Sequence, residues 1–281
     1  MEDPDGFELS AFYEEFPRVE EAFRTALDES LSPRGPELLV DLVEAMRLPP
    51  DALVVDVGAG EGGYALRLAR QFEFRVIGID PVIRHCELAG RALRAEVGEH
   101  PGMLQRAGVA AGTAEALPVA TAAVDLVWCR DVLVHMRDLA GAYAQFRRVL
   151  RPGGRLLVYQ MFATERLEPR EAAWLFRVMG VVHSSADPRT TETAIIDAGL
   201  RIDAVHHLAT EWGEYAEEHS ATPGRHLLRA ARLSRDPGRY IARFGRAAYE
   251  VMLGDSLWHV YRMIGKLSPR IYLLSRADSH K

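Results

Sequence analysis

The residues best placed for chemistry lie in Val54-Val55-Asp56-Val57-Gly58-Ala59-Gly60-Glu61-Gly62-Gly63, where a short apolar run breaks into glycines. Glycines there let a strand turn sharply into a helix and let the backbone approach a ligand closely. Gly58, Gly60 and Gly63 satisfy the G-x-G-x-x-G dinucleotide pattern, which alone does not choose a ligand. Asp56 sharpens the reading. A carboxylate two residues before the first glycine can hold an ammonium by charge-assisted hydrogen bonds, and it repels a pyrophosphate. Asp80 lies twenty residues after Gly60 and is followed by Pro81. It can accept from both hydroxyls of a ribose, or cap the helix that follows. Trp128-Cys129-Arg130-Asp131 then Val132-Leu133-Val134-His135 ends another apolar run. Asp131 and His135 are four apart, a spacing that shares one face of a helix. His135 is the candidate general base and Asp131 its candidate companion. His135 reads equally well as a packed histidine. Arg130 faces either a ligand carboxylate or a surface partner.

These residues need elements to hold them. Leu53–Val57, Arg75–Ile79, Val124–Cys129 and Arg155–Gln160 read as short buried strands. Tyr64–Arg70, Ile83–Val97 and Leu139–Leu150 read as the helices between them. The alternation predicts βαβ units and a parallel sheet with helices on both faces, an α/β Rossmann-like fold. Upstream, Phe7, Phe12, Phe16, Val19 and Phe23 fall on one helical face, and Glu37–Met46 is a second helix. Downstream, Glu171–Met179 and Thr191–Ala198 read as helices and Arg201–Leu208 as a strand. Residues 214–266 read as mostly helical, with turns near Pro223-Gly224, Pro237-Gly238 and Gly254-Asp255, before a last strand at Ile271–Leu274.

Composition excludes several classes. At 281 residues and 48% hydrophobic content the chain can bury a large core. A net charge of −6 disfavours a nucleic-acid partner. No apolar run is long enough to span a membrane, and the acidic start lacks the apolar stretch of a secretion signal. With only Cys86 and Cys129, a disulfide framework is not expected, and the location expected is cytoplasmic. No H-x-x-H or D-x-D-x-D spacing calls for a metal. Phe162, Trp174, Phe176, Trp212 and Tyr215 read as a substrate pocket or as core. Residues 1–30 carry ten acids and two arginines. Arg225, Arg229, Arg232, Arg235, Arg239, Arg243 and Arg246 form a basic stripe. Its spacing puts most of them on one helical side, either a solvated face or a receiver for an acidic partner.

Asp56-x-Gly58-x-Gly60, Asp80, Gly112-Thr113-Ala114-Glu115-Ala116-Leu117-Pro118 and Val149-Leu150-Arg151-Pro152-Gly153-Gly154 together resemble the class I S-adenosylmethionine-dependent methyltransferases, in particular the quinone, sterol and natural-product sugar subgroup. The resemblance implies a seven-stranded sheet in the order 3-2-1-4-5-7-6 with strand 7 antiparallel, and a helical lid insert. It divides the chain into an N-terminal lid segment (1–50), a core (51–163, 199–210 and 268–277) and a helical insert (164–198 and 211–267). It implies S-adenosylmethionine as cofactor, with Asp56, Gly58, Ala59 and Gly60 at its methionine end, Asp80 and Pro81 at the ribose, Thr113, Ala114 and Glu115 bordering the adenine, and Arg130 near its carboxylate. The subgroup usually has Asp where this chain has Thr113. The expected reaction is O-methylation of a small molecule in secondary metabolism, the substrate being free, acidic or carrier-bound and the protein a monomer or homodimer. The alternatives are N- or C-methylation, or cofactor binding without methyl transfer.

Overall fold

The computed structural model describes residues 13–14, 16–29, 32–96 and 102–276. Phe7 and Phe12, on the predicted first helix, lie outside them. In chain order the elements are α1 (Phe16–Glu29), α2 (Glu37–Ala45), β1 (Leu53–Val57), α3 (Gly63–Phe72), β2 (Arg75–Asp80), α4 (Ile83–Glu96), α5 (Met103–Arg106) and β3 (Ala107–Ala111). Then follow β4 (Val124–Arg130), α6 (Leu139–Val149), β5 (Leu150–Ala163), α7 (Pro169–Met179), α8 (Pro188–Asp197) and β6 (Leu200–His207). Helices α9 (Glu211–Ser220), α10 (Thr222–Arg235), α11 (Pro237–Phe244) and α12 (Arg246–Met263) precede β7 (Leu267–Arg276).

The seven strands form one sheet in the order β3-β2-β1-β4-β5-β7-β6. Strand β7 runs antiparallel to both β5 and β6. Side chains alternate between two cores. Val55, Val57, Val127 and Phe146 pack on one face with Ala194 and Ile195 of α8. Val54, Leu126 and Trp128 pack on the other with Leu39, Val43, Leu68 and Trp212. Burial on both faces is why the central strands read as continuous apolar runs. Phe162 and Trp212 are buried in these clusters and Phe176 in a smaller third one, while Trp174 and Tyr215 are half-buried.

Local chemistry sets the helix starts. Asp138 accepts from the Gly141 N–H at 2.8 Å to open α6. Glu168 and Glu171 form a reciprocal capping box on α7, with Pro169 in its first turn. Asp187 and Asp236 cap α8 and α11, each followed by proline.

Several local readings need correction. Strand β3, Ala-Gly-Val-Ala-Ala, has no apolar run to announce it. It exists because it pairs with β2, Val109 opposite Gly78. Strand β5 begins at Leu150, before the Pro-Gly-Gly, where Leu150 pairs with Val124. Residues 131–135 are not an α-helix: Asp131 has φ 58 and Leu133–His135 is a 3-10 turn. The Asp131–His135 spacing therefore does not create a shared helical face. The arginine stripe does not lie on one helix either. It spans α10, α11 and the first residue of α12, broken at Asp236-Pro237.

No turn occurs at Gly254-Asp255, because α12 runs through it. A side chain at Gly254 would come 2.8 Å from Val178 Cγ1 and 3.1 Å from Met179 Sδ. Glycine there lets α12 cross α7 closely. Gly254→Val is expected to cost about 1–3 kcal/mol by overpacking, read as a lower urea midpoint at unchanged slope. An unchanged midpoint would mean that the helix contact gives way freely.

Candidate functional site

Parallel strands leave their carboxyl ends open on one edge of the sheet, where α/β proteins bind ligands. A cavity of about 360 Å³ lies there, lined by Gly58, Pro81, Thr113, Ala114, Glu115 and His135, among others. Six residues widely spaced in the chain, each expected at the ligand, thus meet in one cleft. Val132, Met136 and Arg137 also line it. No motif had marked these three; their position follows from the turn after β4.

The glycine loop is built by contact as much as by conformation. Gly58 has φ +72, and a Cβ there would lie 2.0 Å from Val132 Cγ2. Gly60 has φ +55 with open space around its Cα. Four backbone donors of the loop are committed. Gly58 and Ala59 donate to the Ile79 carbonyl at 2.7 and 3.1 Å, and Gly62 donates to Ala59 at 2.9 Å. Gly60 donates to Asp80 Oδ2 at 2.9 Å. The methyl of Ala59 turns away from the cleft, onto Gly78.

The loop offers carboxylates instead. Asp56 is 3% exposed, and its Oδ2 has no hydrogen-bond partner among the described residues. Burial pushes its carboxyl up to about 7, against the charge of Arg130 and a bond from the Ala65 N–H. A buried acceptor left open at the end of β1 fits an ammonium group. Asp80 is also buried. Its Oδ1 accepts from the Val82 N–H at 2.9 Å and faces His85 Nδ1 at 3.1 Å. Thus Asp80 braces both the glycine loop and the start of α4, while Oδ2, with one N–H donor, retains acceptor capacity for a hydroxyl. Asp80→Ala is expected to weaken binding of S-adenosylhomocysteine by about 1–3 kcal/mol. Calorimetry on the folded variant checks this, and unchanged affinity would remove the ribose role.

Arg130 is half-buried and does form the salt bridge its sequence position allowed, with the exposed Asp131. Its guanidinium lies 4.8 Å from the Tyr64 ring centre and 5.7 Å from that of Tyr159, with Nη2 3.5 Å from Asp131 Oδ2. Tyr64, the first-turn aromatic of α3, was not singled out by any motif. Arg130 does not line the 360 Å³ cavity. Asp131 is exposed and does not line the cavity, although protein atoms crowd its carboxyl. Burial raises its carboxyl, and Arg130, Arg262 and His135 act against that. Arg262, from α12, also had no sequence signal. Only folding brings that helix over the strand ends.

His135 is held by an unexpected partner. Its Nδ1 lies 2.9 Å from the carbonyl of Gly180, the αL residue that ends α7. That carbonyl can only accept, so Nδ1 carries the proton and Nε2 keeps its lone pair. Asp131 makes no hydrogen bond to the imidazole. Among the described residues no group of three or more His, Cys, Asp or Glu could hold a metal ion. Among the described residues no helix is long and apolar enough to cross a membrane.

Residues 55–158 match the family model of a methyltransferase domain. A dimethylglycine N-methyltransferase of Parasynechococcus marenigrum is 35% identical over 153 residues, 53% of this chain and 49% of that protein. A malonyl-[acyl-carrier protein] O-methyltransferase of Methylovorus is 32% identical over 138 residues, 49% of this chain and 45% of that protein. The chain spans about half the length of these curated relatives. The solved geranyl diphosphate C-methyltransferase of Streptomyces coelicolor superposes with a TM-score of 0.58 at 17% identity, covering 98% of this chain and 86% of that one, and shares the fold. Residues 55–158 thus match a methyltransferase domain, set in a 3-2-1-4-5-7-6 sheet whose first strand carries a buried carboxylate and leads into the glycine loop.

Proposed function

We propose that this protein transfers a methyl group from S-adenosylmethionine to a small-molecule acceptor, at a hydroxyl oxygen, with His135 as the base. One observation carries the choice of a hydroxyl. His135 lines the cleft with Nδ1 tied to Gly180, which leaves Nε2 as an acceptor. A base is needed only where the nucleophile bears a proton at neutral pH, as a hydroxyl does. The relatives include N-, O- and C-methyltransferases by name, so their likeness alone does not select the atom.

When bound, the cofactor supplies an electrophilic methyl on a sulfonium. The chain's own work is then placement and proton removal. Asp56 would hold the ammonium end, Asp80 the ribose hydroxyls and Arg130 the amino acid's carboxylate, and Thr113, Ala114 and Glu115 would border the base. Nε2 of His135 would take the acceptor's proton as its oxygen gains the methyl and the sulfur–methyl bond breaks to release the neutral thioether, and holding acceptor and donor together lowers the barrier. Asp131 stands beside Arg130 as a charge partner rather than as the group that orients His135.

In this reading the helices of 211–267 cover the cleft. Arg262 of α12 already acts on Asp131 and Tyr159 at the strand ends. Closure would exclude water and align the acceptor.

Incubation with methyl-labelled S-adenosylmethionine and a panel of hydroxylated, amino and carboxylic acceptors tests the proposal. Label recovered as a methyl ether or methyl ester differs by mass fragmentation from N- or C-methyl products. Ether formation supports the reading. Transfer only to amines, carboxylates or carbon overturns the hydroxyl assignment, and cofactor binding without transfer to any acceptor overturns the reaction.

A further inference from the structure

The arginine stripe has a concave side. Helices α10, α11 and α12 enclose a second cavity of about 460 Å³, lined by Arg229, Arg232, Leu233, Tyr240, Phe244 and Tyr249, with Ala248 and Met252 completing the wall. None of these residues lines the cleft at the strand ends. The volume lies within the range of small-ligand sites. The walls are aromatic and aliphatic, and the charge is confined to two arginines three residues apart on α10.

Those arginines are short of counter-charge. Arg229 Nη1 lies 3.4 Å from His226 Nε2, a neutral partner, and neither Arg229 nor Arg232 forms an ion pair among the described residues. The nearby acids do not supply that charge. Asp236 caps α11 and Glu250 pairs with Arg177 at 3.1 Å, while Asp255, which faces the neutral His226 Nδ1 at 3.6 Å, makes no ion pair with either arginine among the described residues. The imidazole of His226 is stacked on that of His259 at 4.0 Å, and burial lowers the pKa of both rings. Arg243 rests over Phe244 at 5.0 Å, which adds a third cation at the rim.

We infer that this cavity is a binding site for an anionic amphiphile: a molecule with one elongated apolar body and a single terminal carboxylate or phosphate. The apolar walls take the body, by the ordinary gain of removing hydrocarbon from water. Arg229 and Arg232, one turn apart, take the anion as paired donors. Phe244 and Met252 of its walls are exposed, as are Leu227, Leu228 and Val251 around it, so the pairing of Arg229 with Arg232 on one wall, not apolar exposure, is what singles out a single anionic chain. A single chain lying against α10, α11 and α12 satisfies both the shape and the charge. The inference does not depend on methyl transfer.

Calorimetry with decanoate below its micellar concentration, with decan-1-ol as neutral control, tests the site. Decanoate is expected to bind once per chain, at least tenfold tighter than decan-1-ol. Arg229→Gln with Arg232→Gln is expected to remove that preference. Ala248→Trp, which fills the cavity, is expected to abolish binding of both. Affinity for S-adenosylhomocysteine, measured on each variant, is expected to be unchanged and shows that the fold is intact. Failure of that affinity in the unaltered protein would count against the cofactor site and leave this inference standing. Absence of decanoate binding overturns the site, as does equal affinity for decan-1-ol or indifference to Ala248→Trp. Binding to anionic phospholipid vesicles without binding of monomeric decanoate assigns the face to a membrane and overturns it. A dimer in solution that Ala248→Trp dissociates assigns the groove to a second copy of the chain and equally overturns it.

Discussion

Asp56→Asn is expected to weaken S-adenosylhomocysteine binding between about tenfold and a little over a hundredfold, the effect of losing about 1.5–3 kcal/mol of charge-assisted hydrogen bonding. The reason is the open Oδ2 of a nearly fully buried carboxylate. The same carboxyl sits near pKa 7 in the free protein because burial disfavours its charge. An ammonium favours the charged form, so binding expels a proton below that pH. Affinity should therefore rise as pH increases from about 5.5 to 7.5 and level off above, since the group is then already ionised. In Asp56→Asn this slope should vanish. Methylthioadenosine, which lacks the amino-acid end, is the control: its affinity should be nearly indifferent to the substitution. Equal losses for both ligands would mean that Asp56 supports the loop and not the ammonium. The linkage has a second face. With its folded pKa raised above the ordinary carboxylate value of 3.8, Asp56 holds a proton in the folded chain that the unfolded chain has lost. Its contribution to stability is present below pH 4 and falls away as pH rises through about 7, and bound cofactor should offset part of that loss.

His135→Ala is expected to lower turnover on a hydroxyl acceptor by roughly a hundredfold or more, the usual scale of a general base, while S-adenosylhomocysteine affinity stays within about twofold. Single-turnover kinetics separates this from slower binding. Gly180 supplies the partner that holds the ring. His135→Gln keeps a hydrogen-bonding side chain but no basic nitrogen, so it should be as impaired as the alanine variant. If His135→Gln retains most of the activity, the ring serves only to hold the end of α7 against the turn after β4. Normal turnover in both variants would remove the base from the mechanism.

A nucleoside ligand with an ammonium end was legible in the chain because local chemistry carries it, and the resemblance supplied the cofactor proposed. Asp56, Gly58, Gly60 and Asp80 act within a strand–turn–helix unit, and their backbone demands are written in residue type: a positive φ at both glycines, a carboxylate at each strand end. The buried strands β1, β2 and β4 announced themselves because both of their faces are covered, which forces unbroken apolar runs. The resemblance carried the sheet order further than periodicity could.

What escaped the sequence was decided by contacts between distant segments. Strand β3 is made of small residues and is a strand only because β2 offers it a ladder. Gly254 looks like a break, yet in contact with α7 it is the residue that keeps α12 whole. Arg130 could be placed neither inside nor outside until Tyr64, Tyr159 and Asp131 stood around it. Asp131 and His135, four apart, suggested a shared helical face, but a left-handed residue and a 3-10 turn separate them, and a carbonyl 45 residues away holds the imidazole. The arginines at three- and four-residue steps suggested one solvated stripe. Breaks at Asp236-Pro237 and Gly245 fold that stripe over three helices and turn part of it around an apolar cavity. Sequence spacing specifies which side chains share a face only while a single element persists. Where the chain turns, packing sets the neighbours.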